Sequence, residues 1–212
     1  MISYLLKNYD SMLLLMSEHL QIVALSISIS LVIAIPVSLL ILRSKVLSTI
    51  VLSSLGVIYS IPSLALFALL IPILGLGKGT AIFVLVIYNQ YILVRNIFAA
   101  FQAIDPAIIE AGIGMGFNSI ELFLKIQLPL ALPIILGGVR IATITTIGIA
   151  TIASVINAGG LGVILFDGLR MNYLPKILWG TIMSAGLALG ANQILLYLEK
   201  LAGLKANGKC KV

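Results

Sequence analysis

Polar side chains recur at regular spacing in one long apolar stretch of the chain. Thr143, Thr146, Ala150, Ser154 and Asn157 follow one another at intervals of three or four residues, which places them on one face of a helix. Hydroxyl and amide groups in this arrangement can exchange hydrogen bonds with a polar solute. Small and polar residues also allow two helices to pack closely. The spacing therefore predicts either the lining of a solute path or a helix-packing surface, and leaves both open.

Polar residues also interrupt two earlier apolar stretches. Asn89 and Gln90 are neighbours, and a helix cannot turn both toward lipid without leaving a polar group in hydrocarbon. Tyr59 and Ser63 flank Pro62, which removes a helical hydrogen bond and favours a broken helix beside a cavity. We therefore add these four residues to the candidate lining of a path.

Catalytic and metal-binding patterns are missing from the sequence. It has one cysteine, Cys210, and one histidine, His19, so neither an internal disulfide nor a multi-cysteine metal site is predicted. His19 and its neighbour Glu18 precede the first long apolar run and are interpreted as residues of a membrane interface. The segment GLGKGT at 75–80 fails as a phosphate-binding loop, because Pro72 stands where the first glycine belongs. The sequence predicts no catalytic residue, no metal site and no cofactor in this chain.

The composition assigns the chain to the membrane proteins. Hydrophobic residues make up 61% of it and charged residues 9%, whereas soluble domains carry about 25% charged residues. The net charge of +6 could indicate nucleic-acid binding, but no basic stripe alternates with aromatic residues. Cytoplasmic loops of membrane proteins are rich in lysine and arginine, which accounts for the charge. We therefore expect lipid as a partner and no nucleic acid.

The apolar stretches predict an all-α integral membrane protein with about five transmembrane helices, since a helical span needs about 20 apolar residues. The five stretches lie at 21–42, 46–74, 79–101, 134–157 and 173–198. We expect residues 1–20 to form an interfacial segment, residues 21–200 a transmembrane domain and residues 201–212 a basic cytoplasmic tail. The second stretch is long enough to be tilted, or broken at Pro62.

The distribution of basic residues predicts an outside N-terminus and an inside C-terminus. With this orientation nine basic residues face the cytoplasm: Arg43, Lys45, Arg95, Lys125, Arg140, Lys200, Lys205, Lys209 and Lys211. Four face outward: Lys7, Lys78, Arg170 and Lys176. The excess inside follows the usual bias of membrane proteins. The long connection at 102–133 is then cytoplasmic.

This connection carries the start signals of two short helices. Asp105 followed by Pro106 is a favourable helix start, and Asn118 with Glu121 three residues later has the spacing of a capping box. We expect one helix over about 106–116 and a second that ends near 128. Pro129 and Pro133 are expected to stop the second helix before the fourth span.

Small residues crowd the first of these helices: Ala111, Gly112, Gly114 and Gly116. Glycines weaken a helix, but they let another surface approach its backbone. The connection is therefore interpreted as a docking platform for a partner. A solvated loop in which Glu110 only faces water fits the spacing as well.

The segment EAGIGMGFNSIELFLKIQLP, at 110–129, resembles the EAA loop of ABC-transporter permeases. The residues that match its pattern are Glu110, Ala111, Gly116, Ile126, Leu128 and Pro129. Gly112 stands where the pattern usually has a second alanine, a small-for-small change. The resemblance implies a methionine-importer-like permease fold in which this loop sits in a groove of a cytoplasmic ATPase. The coupling-loop residues that it implies are Glu110, Ala111, Gly112, Gly116, Leu128 and Pro129. Glu110 and its small neighbours would contact the ATPase, and Pro129 would fix the angle into the fourth span.

Further segments look like the permeases of the glycine betaine, carnitine and choline group. They are IPSLALFALLIP (61–72), VRN (94–96), LPLALPIILGGVRIAT (128–143) and INAGGLG (156–162). The resemblance implies the permease subunit of an importer in the bacterial plasma membrane. Its implied partners are an ATPase dimer that holds ATP and Mg, a second copy or sister permease, and an extracellular substrate-binding protein.

Other functions remain open on the sequence. Permeases for methionine, amino acids and other small solutes share the architecture. An ion-driven transporter or channel would need an inverted repeat or acidic residues inside the spans, and the sequence shows neither. A membrane scaffold without transport would not need the polar residues between Thr143 and Asn157.

Overall fold

The computed structural model describes residues 2–206, which fold entirely into helices and the turns that join them. The nine α-helices of this part are α1 (Ile2–Ile41), α2 (Lys45–Ser60), α3 (Ser63–Leu74), α4 (Lys78–Gln102), α5 (Pro106–Gly114), α6 (Ser119–Leu122), α7 (Leu128–Ala153), α8 (Gly162–Arg170) and α9 (Leu174–Ala206). A π-helical turn, Phe123–Gln127, joins α6 to α7, and a 3₁₀ turn, Ser154–Ile156, follows α7. Cys210 and the end of the predicted tail lie outside the described residues.

The predicted set of about five spans is confirmed. Four helical stretches are long and apolar enough to cross a membrane: Tyr4–Ile41, Lys78–Gln102, Ser119–Ile156 and Leu174–Ala206. Helices α2 and α3 are apolar enough only as a pair and are bent by 93° at their junction, which is the geometry of a broken span or of a re-entrant loop; counted as one span, the pair is the fifth. The bend falls at Ile61 and Pro62, where the sequence predicts a broken helix, and Pro62 starts α3 with a φ of −57°.

The N-terminal residues differ from the expected separate segment. The sequence predicts a boundary near residue 20, but α1 continues without a break from Ile2 to Ile41. Met12 is buried against Leu161 and Ile164, at the start of α8. The first turns of α1 therefore belong to the helix packing of the protein, while their position relative to the membrane interface stays a prediction.

Helix α4 is the centre of the bundle. Its buried side chains Leu85 and Tyr88 pack in a cluster with α1, α3 and α7, and Leu93 and Ile97 pack in a second cluster nearer its other end. Helix α9 packs on α7 and α8, yet none of its most apolar 18-residue window is buried. The outward face of α9 is therefore open to lipid or to another chain.

The predicted stop at Pro129 and Pro133 is wrong. The chain stays helical from Ser119 through the π-helical turn into α7. The N–H of Leu128 donates to the carbonyl of Phe123, five residues back, so the helix is widened just before Pro129. Pro129 has no N–H to donate, and the widened turn before it leaves room for its ring. The second loop helix and the fourth span are thus one continuous helical rod, Ser119–Ile156.

Candidate functional site

The long connection between α4 and α7 begins with the predicted cap. The Asp105 carboxylate accepts a hydrogen bond from the N–H of Ala107 at 2.9 Å, and Pro106 is the first residue of α5. Helix α5 ends at Gly114, about two residues earlier than predicted. Gly116 then turns the chain with a φ of +84°, a conformation that glycine adopts readily.

The start of α6 is a complete capping box, as the spacing predicts. The Asn118 side-chain oxygen accepts from the N–H of Glu121 at 2.9 Å, and the Glu121 carboxylate accepts from the N–H of Asn118 at 3.2 Å. Lys125 donates to Glu121 at 2.9 Å and lies over the ring of Phe117. The hydrogen bond from Lys125, followed by that from the Asn118 backbone, holds the pKa of Glu121 below its usual value. These local bonds fix the turn between the two loop helices.

The sequence assigns Gly112 to the coupling loop, and its contact with a partner stays a prediction. Gly112 is buried inside the connection, where a Cβ would lie 2.5 Å from Leu122 Cδ1 and 2.9 Å from Ile126 Cδ1. Its missing side chain lets α5 pack on the connection's own second helix. Glu110, Ala111 and Gly116 are exposed, whereas Leu128 and Pro129 are half-buried at the start of α7.

The sequence reasoning missed the apolar side chains on the surface of this connection. They are Ile108, Ile113, Met115, Ile120 and Leu124, and Ile120 is 72% exposed. We name these exposed residues, together with Glu110, the loop face. The sequence signal for this feature was the presence of several apolar side chains in a connection that otherwise has the capping residues of a polar loop. Such a group of exposed apolar residues is typical of a protein contact.

The candidate path residues do not form one surface within the chain. Asn89 and Thr146 are each 1% exposed, and their side-chain oxygens are 2.9 Å apart. This pair joins α4 to α7 in the interior, so here the polar stripe serves helix packing. The Asn89 Nδ2 has no hydrogen-bond partner among the described residues. Thr143 is half-buried and lines a separate cavity between α1, α7 and α9.

Tyr59 belongs to an aromatic group that its sequence spacing does not show. Its ring centroid is 5.6 Å from that of Tyr88 and 5.0 Å from that of Tyr91, and the Tyr88 hydroxyl donates to the carbonyl of Ile61. The α2–α3 bend is thereby attached to α4. Ser63 lies half-buried beside the bend.

Gln90 links α4 to α1 and does not belong to this aromatic group. Its amide donates to the carbonyls of Val86 at 3.2 Å and Ser30 at 3.4 Å, which links α4 to α1. The Gln90 side-chain oxygen is buried without a hydrogen-bond partner among the described residues.

Ser154 and Asn157 lie at the far end of α7. Ser154 is buried and donates to the carbonyl of Thr151 at 3.0 Å. Asn157 is exposed and adopts a left-handed conformation with a φ of +61°. Both residues border a small cavity against α8. They are therefore brought together with each other, but not with the interior pair of Asn89 and Thr146.

His19 is a buried residue of a tertiary contact, and its predicted place at a membrane interface stays a prediction. It is fully buried; its Nδ1 accepts from the N–H of Leu161 at 3.3 Å, and its Nε2 lies 3.2 Å from the carbonyl of Ile147. Since Nδ1 accepts, the ring carries its proton on Nε2 and donates to Ile147. The histidine therefore attaches α1 to both α7 and the loop after it.

Glu18 completes this attachment, which we name the Glu18–His19 clamp. Its carboxylate accepts from the N–H of Gly160 at 3.2 Å and pairs with Lys78 at 3.1 Å. A Cβ on Gly160 would lie 2.9 Å from His19 Nδ1, and Gly160 has a φ of +78°. The clamp thus holds the loop after α7 against the N-terminal half of α1 and the start of α4.

Comparison with known sequences decides the family. Residues 21–202 match the profile described as the binding-protein-dependent transport system inner membrane component. This chain belongs to that family. It is a multi-pass inner-membrane permease component, in agreement with the predicted spans and with the predicted membrane location.

Two curated relatives of this permease cover nearly its whole length. The osmoprotectant import permease protein OsmW of Salmonella typhimurium is 35% identical over 203 residues, which cover 93% of this chain and 94% of the relative. The glycine betaine/carnitine/choline transport system permease protein OpuCB of Bacillus subtilis is 32% identical over 200 residues, covering 94% and 92%. The resemblance to this group of permeases is therefore confirmed.

A solved structure confirms the expected fold of the permease. The inward-facing MetNI methionine ABC transporter superposes with a TM-score of 0.78 and 24% identity, over 87% of this chain and 93% of that one. The likeness shows the methionine-importer-like arrangement of helices, as the resemblance implies.

Proposed function

We propose that this permease forms the membrane path of an ATP-driven importer for a small quaternary-ammonium osmolyte. Glycine betaine, carnitine, choline and proline betaine are the substrates in question. The proposal is supported by the family and by the names of two relatives that match more than nine-tenths of the chain. Permeases for methionine or other amino acids share the fold, so the likeness to MetNI does not enter the choice of substrate.

The observation that carries the mechanism is the loop face and its connection to a span. Glu110 and its apolar neighbours are exposed on the two-helix connection, and the second of these helices continues into α7 without a break. We propose that the connection is cytoplasmic and that its loop face sits in the groove of an ATPase dimer. The ATPases bind ATP and Mg, and their closure moves the rod Ser119–Ile156.

The path is formed with a second permease subunit, either another copy or a sister permease. Five spans are too few to enclose a path, and the outward face of α9 is unoccupied by the rest of the described chain. Thr143, Ser154 and Asn157 are the candidate path residues with side chains near a cavity. The loop Asn157–Gly162, on the expected outer side, is proposed to contact the extracellular binding protein.

The test is co-purification of the tagged permease from its native membranes in mild detergent. The wild type is expected to bring down an ATPase, and Glu110→Lys is expected to lose most of it, because the substitution reverses the exposed charge on the loop face. Asp10→Lys is the matched control, since Asp10 is exposed on α1 and outside the loop. Absence of any ATPase with the wild type, or equal loss with both variants, contradicts the proposal.

A further inference from the structure

A small cavity lies between the end of α7 and one face of α8, and we name it the α7–α8 cavity. Its volume is about 240 Å³, and its lining includes Ser154, Asn157, Phe166, Asp167 and Arg170. This cavity combines an acid, a base, an aromatic ring and an amide within a single chain. Its volume admits a small solute.

The two charged residues of the cavity retain capacity for a ligand. Asp167 Oδ2 accepts a hydrogen bond from Lys176 at 3.1 Å, which fixes the carboxylate from one side. Asp167 Oδ1 also forms an ion pair with the Arg170 guanidinium at 3.9 Å, which is longer than a hydrogen bond and leaves the N–H groups of Arg170 able to bond to a ligand. Arg170 is exposed at the last turn of α8, and its five N–H groups suit a carboxylate. One charge of each sign therefore borders the same space.

The neutral residues of the cavity fit the remaining parts of a betaine. A trimethylammonium group has no N–H, so it is recognised by a negative charge and by the face of an aromatic ring. Phe166 supplies the ring beside Asp167. Asn157 adds an exposed amide, which can bond to a carboxylate. A molecule with both groups matches the cavity better than a molecule with either alone.

We infer that the α7–α8 cavity binds a zwitterionic betaine as it enters the permease. Arg170 and Asn157 hold its carboxylate, while Asp167 and Phe166 hold its trimethylammonium group. This inference rests on the proposed function and deepens it, since it gives the permease its own selectivity for the zwitterion. The Glu18–His19 clamp secures the loop that carries Asn157, so the cavity keeps its shape.

The test is saturation-transfer NMR on the permease with its ATPase in lipid nanodiscs, without binding protein. Three probes each give one intense methyl signal: glycine betaine, choline, and 3,3-dimethylbutanoate. Choline lacks the carboxylate, and the third probe replaces the ammonium nitrogen of glycine betaine by carbon. We expect the wild type to bind glycine betaine roughly tenfold more tightly than either other probe, because each of them loses one charged contact.

Variants separate the two halves of the cavity. Arg170→Gln is expected to lower the affinity for glycine betaine roughly tenfold and to leave the affinity for choline unchanged. The control is Arg43→Gln, at the exposed turn after α1, which is expected to change neither affinity. Phe166→Leu keeps both charges. It is expected to lower the affinity for glycine betaine and for choline, but not the affinity for 3,3-dimethylbutanoate. Phe166 is substituted instead of Asp167 because Asp167 also accepts a hydrogen bond from Lys176, whose loss could prevent folding.

Three results overturn the inference: equal affinities of the wild type for the three probes, no detectable binding of any probe, and equal effects of Arg170→Gln and Arg43→Gln. ATP-driven uptake of glycine betaine by the same complex separates this inference from the proposed function. If uptake proceeds while the cavity variants bind and transport like the wild type, the cavity inference alone falls. If the wild-type complex with its binding protein takes up no quaternary-ammonium solute, the proposed function falls with it.

Discussion

Asn89 and Thr146, 57 residues apart in the chain, meet at 2.9 Å in the interior and join the central helix α4 to α7. Both are buried, and Thr146 Oγ1 also lies 2.7 Å from the carbonyl of Ala142 in its own helix. A polar contact of this kind specifies how two apolar helices cross, because any other register leaves an amide in an apolar environment. The pair therefore fixes the position of the rod Ser119–Ile156 against the centre of the bundle.

Replacement of Thr146 by valine is expected to lower stability. The side chain keeps its shape, but the buried oxygen of Asn89 loses its donor, at a cost of about 1 kcal/mol. The measurement is thermal unfolding of the purified protein in detergent. Thr143→Val is the matched control, because the Thr143 hydroxyl is half-buried and bonds only to Val139 in its own helix. An equal loss for both variants argues against a special role for the α4–α7 pair.

Replacement of Gly112 by alanine is expected to move α5 away from α6 and to reduce ATPase co-purification several-fold. The added Cβ collides with Leu122 and Ile126, and these side chains must shift. Gly114→Ala is the control in the same helix, because a Cβ there meets nothing within 4 Å. Leu122→Ala is expected to restore binding in the Gly112→Ala background. Full ATPase binding by Gly112→Ala alone would show that the packing of α5 is not needed for docking.

Replacement of Gly160 by alanine is expected to loosen the Glu18–His19 clamp and to lower the stability of the protein by about 2 kcal/mol. The loss has two causes, the unfavourable backbone angle and the crowding of the new Cβ. The new Cβ lies 2.9 Å from His19 Nδ1 and 3.3 Å from His19 Cα, and the backbone atom cannot turn aside. Limited proteolysis after α7 and thermal unfolding report the change. Gly79→Ala, where a Cβ has open space, should behave like the wild type. A stable, protease-resistant Gly160→Ala protein contradicts the expected clamp.

Features encoded by neighbouring residues were predictable from the sequence. The Asp105 cap, the Asn118–Glu121 capping box and the break at Pro62 each depend on residues within four positions of one another. Local chemistry decides such features before the chain is packed, and the sequence therefore predicts them correctly.

Features created by packing were not predictable in the same way. The hydrogen-bond partners of His19 lie 128 and 142 residues away, so a lone histidine before an apolar run gives no sign of them. Gly112 is small, as a residue at a protein contact often is, but in the structure the side chains of Leu122 and Ile126 occupy the space beside it. Pro129 stops an α-helix by the usual rule, and the rule does not hold after a π-helical turn.

If ATPase closure moves the connection, as proposed, the unbroken helix from Ser119 to Ile156 acts as a lever with unequal arms. If the contact at Thr146 is the fulcrum, the arm toward the connection is about 40 Å long and the other arm about 15 Å, at about 1.5 Å per residue. A stroke of about 5 Å at Ser119 then becomes a stroke of about 2 Å beside Asn157, in the opposite sense and with roughly threefold greater force. The geometry exchanges distance for force at the end of the molecule that the Glu18–His19 clamp holds against α1.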